Sequence, residues 1–146
     1  MLQTLKANRG AVVAPHHLAS QAGLRVLQDG GNAIEAMVAA AATIASVYPH
    51  MNALGGDNFW LISTPGSDVI GIDACGAAAA KADIAFYQDQ GFDAIPSRGP
   101  LAALTVAGVV SGWQAALEIS EKWGGGLALP RLLEDAEYYS RTGFPV

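Results

Sequence analysis

Gly30-Gly31-Asn32-Ala33-Ile34-Glu35-Ala36-Met37-Val38-Ala39-Ala40-Ala41 is the stretch whose reading decides the fold. The glycine pair closes one helix, because glycine enters the left-handed cap conformation without steric cost. Asn32 has the side chain to cap the next helix, and Glu35, three residues on, stands in the capping-box position. That second helix is almost pure alanine and runs to about Tyr48, where Pro49 forbids continuation. Small side chains on most faces let other backbones approach from several sides. The sequence therefore predicts a central strut, buried on most sides.

Working outward, Gly10 to Ala14 is a short apolar run before Pro15 and predicts a buried strand. A helix is expected from His16 or His17 to Gln28. Phe59 to Ser63 and Val69 to Asp73 are strand-like runs separated by Thr64-Pro65-Gly66-Ser67-Asp68, the punctuation of a β-hairpin. Ala74 to Ala82 lacks periodicity and is read as a loop. Asp83 caps a short helix through Phe86 and Tyr87. Gly91 to Pro100, rich in proline and glycine, is read as a surface loop. Val106 to Lys122 carries a helical apolar stripe of Val109, Val110, Trp113, Ala116, Leu117 and Ile119, ended by Gly124-Gly125-Gly126. Pro130 suits the first turn of a last helix, Arg131 to about Arg141, which stops before Gly143 and Pro145. Residues 1–146 read as a single unit without a linker, and the exit at Thr142-Gly143-Phe144-Pro145-Val146 reads as leading into further polypeptide.

Of the 146 residues, 51% are hydrophobic and only 14% charged, against about 25% charged in a typical globular chain. The longest apolar run, Ala36 to Val47, falls short of the roughly 18 residues a spanning helix needs. Few charges without a span point to a surface hidden against another polypeptide, the alternative being an alanine-rich domain that is self-sufficient. A net charge of −5 with no basic cluster argues against nucleic acid and anionic membranes as partners. One cysteine excludes an internal disulfide. The start, Met1 to Gly10, has no apolar core of signal-peptide length, so a cytoplasmic location is expected.

Few residues suggest chemistry on their own. Gly55-Gly56-Asp57-Asn58 lacks the Gly-Lys-Ser/Thr ending of a phosphate loop. It reads as a tight turn into a strand, or as Asp57 and Asn58 presenting polar groups beside a ligand. His16, His17 and His50 have no carboxylate or thiol at ligand spacing, so no metal or other cofactor is expected. Cys75 has no Cys-X-X-Cys partner and no assignable base, the pattern of passive packing. Arg98, in Ile95-Pro96-Ser97-Arg98-Gly99-Pro100, reads either as a solvated arginine or as a planar fork for a carboxylate. Neither a Gly-X-Ser-X-Gly elbow nor a Ser-X-X-Lys motif is present, and no catalytic constellation emerges.

From Arg9 to Val146 the chain resembles the large subunit of the γ-glutamyltransferase (γ-glutamyltranspeptidase) family. Gly10-Ala11-Val12-Val13-Ala14 resembles that family's first strand. Gly30-Gly31-Asn32-Ala33-Ile34-Glu35-Ala36 is close to its specific Gly-Gly-Asn-Ala-Val-Asp-Ala signature. Pro49-His50, Leu54-Gly55-Gly56 and Phe59 follow its proline-to-glycine turn. Val106-Ala107-Gly108 before the Trp113 helix, and Gly143-Phe144-Pro145-Val146, fall where the family has similar segments.

The resemblance implies an α+β fold, part of a four-layer αββα N-terminal-nucleophile hydrolase sandwich made by autocleavage of a zymogen. This chain would then be the N-terminal portion of the large subunit in a heterodimer with the small subunit of the same precursor, or a dimer of such heterodimers. The nucleophile would be the N-terminal threonine of that small subunit, with its own α-amine as base. No threonine here sits in a Thr-Thr-His-like motif, so no catalytic residue is expected in this chain. Two departures bear on the substrate. The family's Asp-Phe-Arg-Glu, whose arginine binds the α-carboxylate of a γ-glutamyl group, is here Asp73-Ala74-Cys75-Gly76, with Cys75 in the arginine's place. Asp57 and Asn58 replace two family glycines. Losing a charge-assisted contact costs about 1.5–3 kcal/mol. The resemblance therefore points to the branch that hydrolyses other small amides, including oxamate, with Cys75, Asp57, Asn58 and Arg98 shaping the substrate pocket. A conventional γ-glutamyltransferase or glutathione hydrolase, and a non-catalytic partner subunit, are the alternatives.

Overall fold

The computed structural model describes residue 4, residues 6–102 and residues 105–145. Residues 1–3 and 5 of the start read above for a signal segment, and Val146 of the last motif, lie outside the described residues. The elements run α1 (His17–Gln28), α2 (Ala33–Val47), β1 (Asn58–Ile62), β2 (Ile70–Ala74), α3 (Ile84–Asp89), α4 (Val109–Lys122) and α5 (Leu129–Thr142). They group into two compact units: residues 1–53 with 113–146, and Leu54–Gly112. The division falls inside α4.

The first unit is helical, and its core is α2. The His16 Nδ1 accepts the Leu18 N–H and starts α1. That helix buries Leu18, Ala19, Ala22, Gly23 and Val26 on one stripe. It ends as the glycine pair requires: Gly30, with φ of 92°, donates to the Leu27 carbonyl, and Gly31 donates to that of Val26. Asn32 Oδ1 then accepts the Ile34 and Glu35 N–H groups, while Glu35 returns Oε2 to the Asn32 N–H at 2.9 Å. The capping box is complete. Along α2 the buried residues are Ile34, Glu35, Ala36, Val38, Ala39, Ala40, Ala42, Thr43, Ile44 and Val47, more than one face of a helix can hold. The expected strut is therefore present. Its crossing with α1 is close, since a Cβ on Gly23 would lie 2.8 Å from the Ala36 carbonyl.

Around the cap of α2 the buried polar groups bond to one another, whereas Thr43 Oγ1 and Trp113 Nε1 are buried in this unit without a partner among the described residues. Glu35 Oε1 takes the Leu127 N–H at 2.9 Å, and Asn32 Nδ2 donates to Ser120 Oγ at 2.8 Å. The cap of α2 thereby also fixes the connection between α4 and α5. The α5 helix, with Pro130 in its first turn, buries Leu132 and Asp135 and ends at Gly143, whose φ is 80°. Its outer edge is tied to α1 by ion pairs of Arg25 with Asp135 and of Arg131 with Asp29.

The second unit contains the hairpin. Strands β1 and β2 pair antiparallel with Asn58 opposite Ala74, Trp60 opposite Ile72 and Ile62 opposite Ile70. Phe59 and Leu61 project from the other face and are exposed. Asp83 caps α3 by accepting the Phe86 N–H at 2.8 Å.

Two expectations need correction. The run 10–14 is not a strand: it has no ladder partner among the described residues, and Val13 is 86% exposed. Apolar character shows that a segment wants cover, not that its cover is at hand. The expected helix from Val106 begins instead at Val109. The Val106 N–H is committed to the Ala77 carbonyl and the Gly108 N–H to that of Gly56, which holds this segment extended.

Candidate substrate-pocket residues

Three of the four residues singled out by the sequence, Asp57, Asn58 and Cys75, meet at the mouth of the hairpin. Asp57 and Asn58 lead into β1, and Cys75 and Gly76 leave β2, so the Asn58–Ala74 pairing sets the two pairs side by side. Asp57 Oδ1 accepts the Gly76 N–H at 2.9 Å. Asp73 Oδ1 accepts the Cys75 N–H at 2.9 Å, tightening the turn out of the strand. The Cys75 thiol is exposed, and its pKa is nonetheless raised above the ordinary value. Partial desolvation by the surrounding atoms is the largest cause, followed by the hydrogen bond and charge of Asp57, then the charge of Asp73. With the carboxylates of Asp57 and Asp73 both acting on the thiol, this end of the hairpin is acidic.

Asn58 is half-buried and turned inward, where Oδ1 accepts the Trp60 indole N–H. Its Cβ side packs where a methyl on Gly112 would fall. It is a structural support of the hairpin. Arg98 stands apart in an exposed loop and forms no ion pair among the described residues. The structure thus brings Asp57, Asn58 and Cys75 together and leaves Arg98 outside the group. Residues that sequence reasoning passed over are Asp73, Gly76 and Gly108. A Cβ on Gly76 would strike the Val106 carbonyl, and one on Gly108 would strike that of Ala74. The glycines were visible as letters, but only the fold shows what each must avoid.

No group of histidine, cysteine and acidic side chains suited to a metal ion exists among the described residues. His16 and His17 stack at 4.7 Å, and His16 is spent on its capping bond. No helix among those residues is long and apolar enough to cross a membrane.

This α+β arrangement is that of the N-terminal-nucleophile hydrolases. Over 94% of the chain it superposes on the γ-glutamyltranspeptidase of Helicobacter pylori, with a TM-score of 0.79 and 31% identity, covering 39% of that chain. The enzyme from Pseudomonas nitroreducens gives a TM-score of 0.81 at 31% identity, over 97% of this chain and 41% of its own. The family profile described as Gamma-glutamyltranspeptidase matches residues 19–146, and the chain belongs to that family. Among its relatives, the oxamate amidohydrolase proenzyme of Klebsiella pneumoniae is 59% identical over 96% of this chain. The glutathione hydrolase-like YwrD proenzyme of Bacillus subtilis is 42% identical over all of it. The chain spans only 26% and 27% of the lengths of these two relatives.

Proposed function

We propose that this chain is the N-terminal portion of the large subunit of an autocleaving cytoplasmic amidohydrolase that acts on a small amide, with oxamate the first candidate. The nucleophile is then the N-terminal threonine of the small subunit, whose α-amine takes the hydroxyl proton as the hydroxyl attacks the amide carbonyl. This chain contributes one wall of the acyl pocket rather than the reacting groups.

The observation that carries the reading is the Cys75 thiol facing Asp57, at the position where the family resemblance puts a carboxylate-binding arginine. A thiol held neutral beside two carboxylates offers a γ-glutamyl α-carboxylate no cation and some repulsion. The 59% identity to an oxamate amidohydrolase proenzyme supports the same substrate class. The oxalyl group that oxamate would leave on the threonine, with ammonia released, is also too short to reach as far as a γ-glutamyl carboxylate does.

The test uses the complete, autoprocessed protein and compares kcat/KM for oxamate, γ-glutamyl-p-nitroanilide and glutathione. Oxamate is expected to be turned over best. Cys75→Arg is expected to raise kcat/KM for the γ-glutamyl substrates about tenfold or more, the worth of one charge-assisted contact. Strong glutathione turnover that Cys75→Ala leaves unchanged would sink the substrate assignment. It would favour the second reading, a glutathione hydrolase, which draws support from the 42% identity to the glutathione hydrolase-like proenzyme. Arg98, unpaired among the described residues, is the cation in this chain that such a reading would use, and Arg98→Ala tests it.

A further inference from the structure

The turn that carries Cys75 is held from two directions. On one side Asp57 Oδ1 accepts the Gly76 N–H at 2.9 Å. On the other, the segment before α4 lies against it: the Val106 N–H donates to the Ala77 carbonyl at 3.0 Å, and Thr105 bridges Ala78. The approach is so close that a methyl on Gly76 would strike the Val106 carbonyl, and one on Gly108 the Ala74 carbonyl. Both restraints have one root. The Gly56 carbonyl accepts the Gly108 N–H at 2.9 Å and the Val109 N–H at 3.2 Å, and Asp57 is the next residue. A closed circuit of contacts therefore runs from Gly56-Asp57 through Gly76 and Gly108 back to Gly56.

We infer that Asp57, Gly76 and Gly108 are positioning residues, which hold the Cys75 turn in place and so set the length of acyl group the pocket takes. Asp57 acts through the Gly76 backbone, not by touching substrate. This rests on the reading above that Cys75 lines the acyl pocket. Two carbonyls and one carboxylate oxygen fix the turn to within a hydrogen bond's tolerance, and a longer acyl group has no slack to exploit. Loosening the circuit should blur the choice between short and long acyl amides before it affects the chemical step.

The experiment uses the complete, processed protein with oxamate and its longer homologue glutaramate. Asp57→Ala removes the acceptor, Asp57→Asn keeps one, and Gly108→Ala pushes the Ala74 carbonyl away. Asp57→Ala and Gly108→Ala are expected to raise the oxamate KM about tenfold with kcat within about twofold, and to narrow the preference for oxamate over glutaramate. Asp57→Asn should restore the parental KM. A second measurement needs no substrate: the rate at which iodoacetamide alkylates Cys75, taken as the difference from Cys75→Ser. Removing the Asp57 carboxylate takes its hydrogen bond and charge away from the thiol and so lowers the thiol pKa, and Asp57→Ala and Asp57→Asn should both react faster than the parent near neutral pH. Parental KM and preference in Asp57→Ala would overturn the inference, as would Asp57→Asn proving as damaged as Asp57→Ala. An unchanged alkylation rate would overturn it too. If the parent ignores oxamate altogether, the functional reading fails, and alkylation alone still decides whether the Asp57 carboxylate stands beside the Cys75 thiol, as the held turn requires.

Discussion

The two compact units close their apolar surface to different degrees. In the helical unit Val26, Val38, Ala39, Ala40, Ala116 and Leu132 are nearly solvent-free, and even the carboxylate of Glu35 is buried with both oxygens bonded. In the hairpin unit Phe59, Leu61, Val69, Ile84, Ile95 and Val106 stand in the open. A helix of small residues closes its own core, because neighbouring backbones can come near enough to leave no gap. A two-stranded hairpin has a second face with nothing to lie on, and such a sheet is marginal in water. The first unit is thus a finished core. The second is built to be covered, which fits our proposal that a small subunit of the same precursor completes the protein.

Breaking the closed core should give the largest effects. Leu132, 1% exposed, is the largest fully buried side chain among the described residues, and Leu132→Ala is expected to cost about 2–5 kcal/mol by lost transfer energy and the cavity left behind. Amide hydrogen exchange of α2 and α5 in the complete protein measures this locally. Protection factors that stay parental would mean that the helical unit is not the tight core described here. Overfilling comes next. Ala40 is 2% exposed, so Ala40→Leu should cost about 1–3 kcal/mol, whereas the half-buried Ala41 should tolerate leucine better. Equal effects at the two positions would contradict the packing of α2.

How far the sequence could be read follows the same division. Helix α2, its capping box and the glycine exit from α1 were legible because those signals are local: each bond joins residues within about one turn. The hairpin was legible for the same reason, through Thr64-Pro65-Gly66-Ser67-Asp68 between two apolar runs. The run 10–14 misled, because its apolar letters do not say where a ladder partner lies. The start of α4 was misplaced because Val106 and Gly108 are claimed by Ala77 and Gly56, contacts far along the chain. At the candidate pocket, Cys75, Asp57 and Asn58 stood out as departures from a family pattern. Asp73 and Gly108 matched that pattern and so drew no notice, while Gly76 stands where the family has glutamate, and only the fold shows the carbonyl it must avoid.

A cap lies between these extremes, since it ends a helix locally and here also reaches a distant turn. Asn32→Ala deletes the acceptor for two N–H groups and the donor to Ser120, and is expected to cost about 1–2 kcal/mol. Asn32→Ser keeps the cap but is too short to span to Ser120. Exchange in the first turn of α2 and in the 123–128 connection separates the two roles. If serine restores both regions, the bond to Ser120 contributes nothing measurable.

The smallest effect is expected where the apolar surface is open. Leu61 is 85% exposed, so in this chain alone Leu61→Ser removes almost no buried contact and should change stability by no more than about 0.5 kcal/mol. It should also make the isolated chain more soluble, because Phe59 and Leu61 form part of an exposed apolar face of the kind that drives association. In the complete protein the same change should behave differently. If the outer hairpin face is covered there, a hydroxyl replaces a buried leucine and the cost rises to about 2–5 kcal/mol, comparable with Leu132→Ala. Hydrogen exchange across β1 and β2, compared between the isolated chain and the complete protein, reads both cases. An equally small effect in each would show that the face stays in water, and the contrast between a closed unit and one awaiting cover would fail.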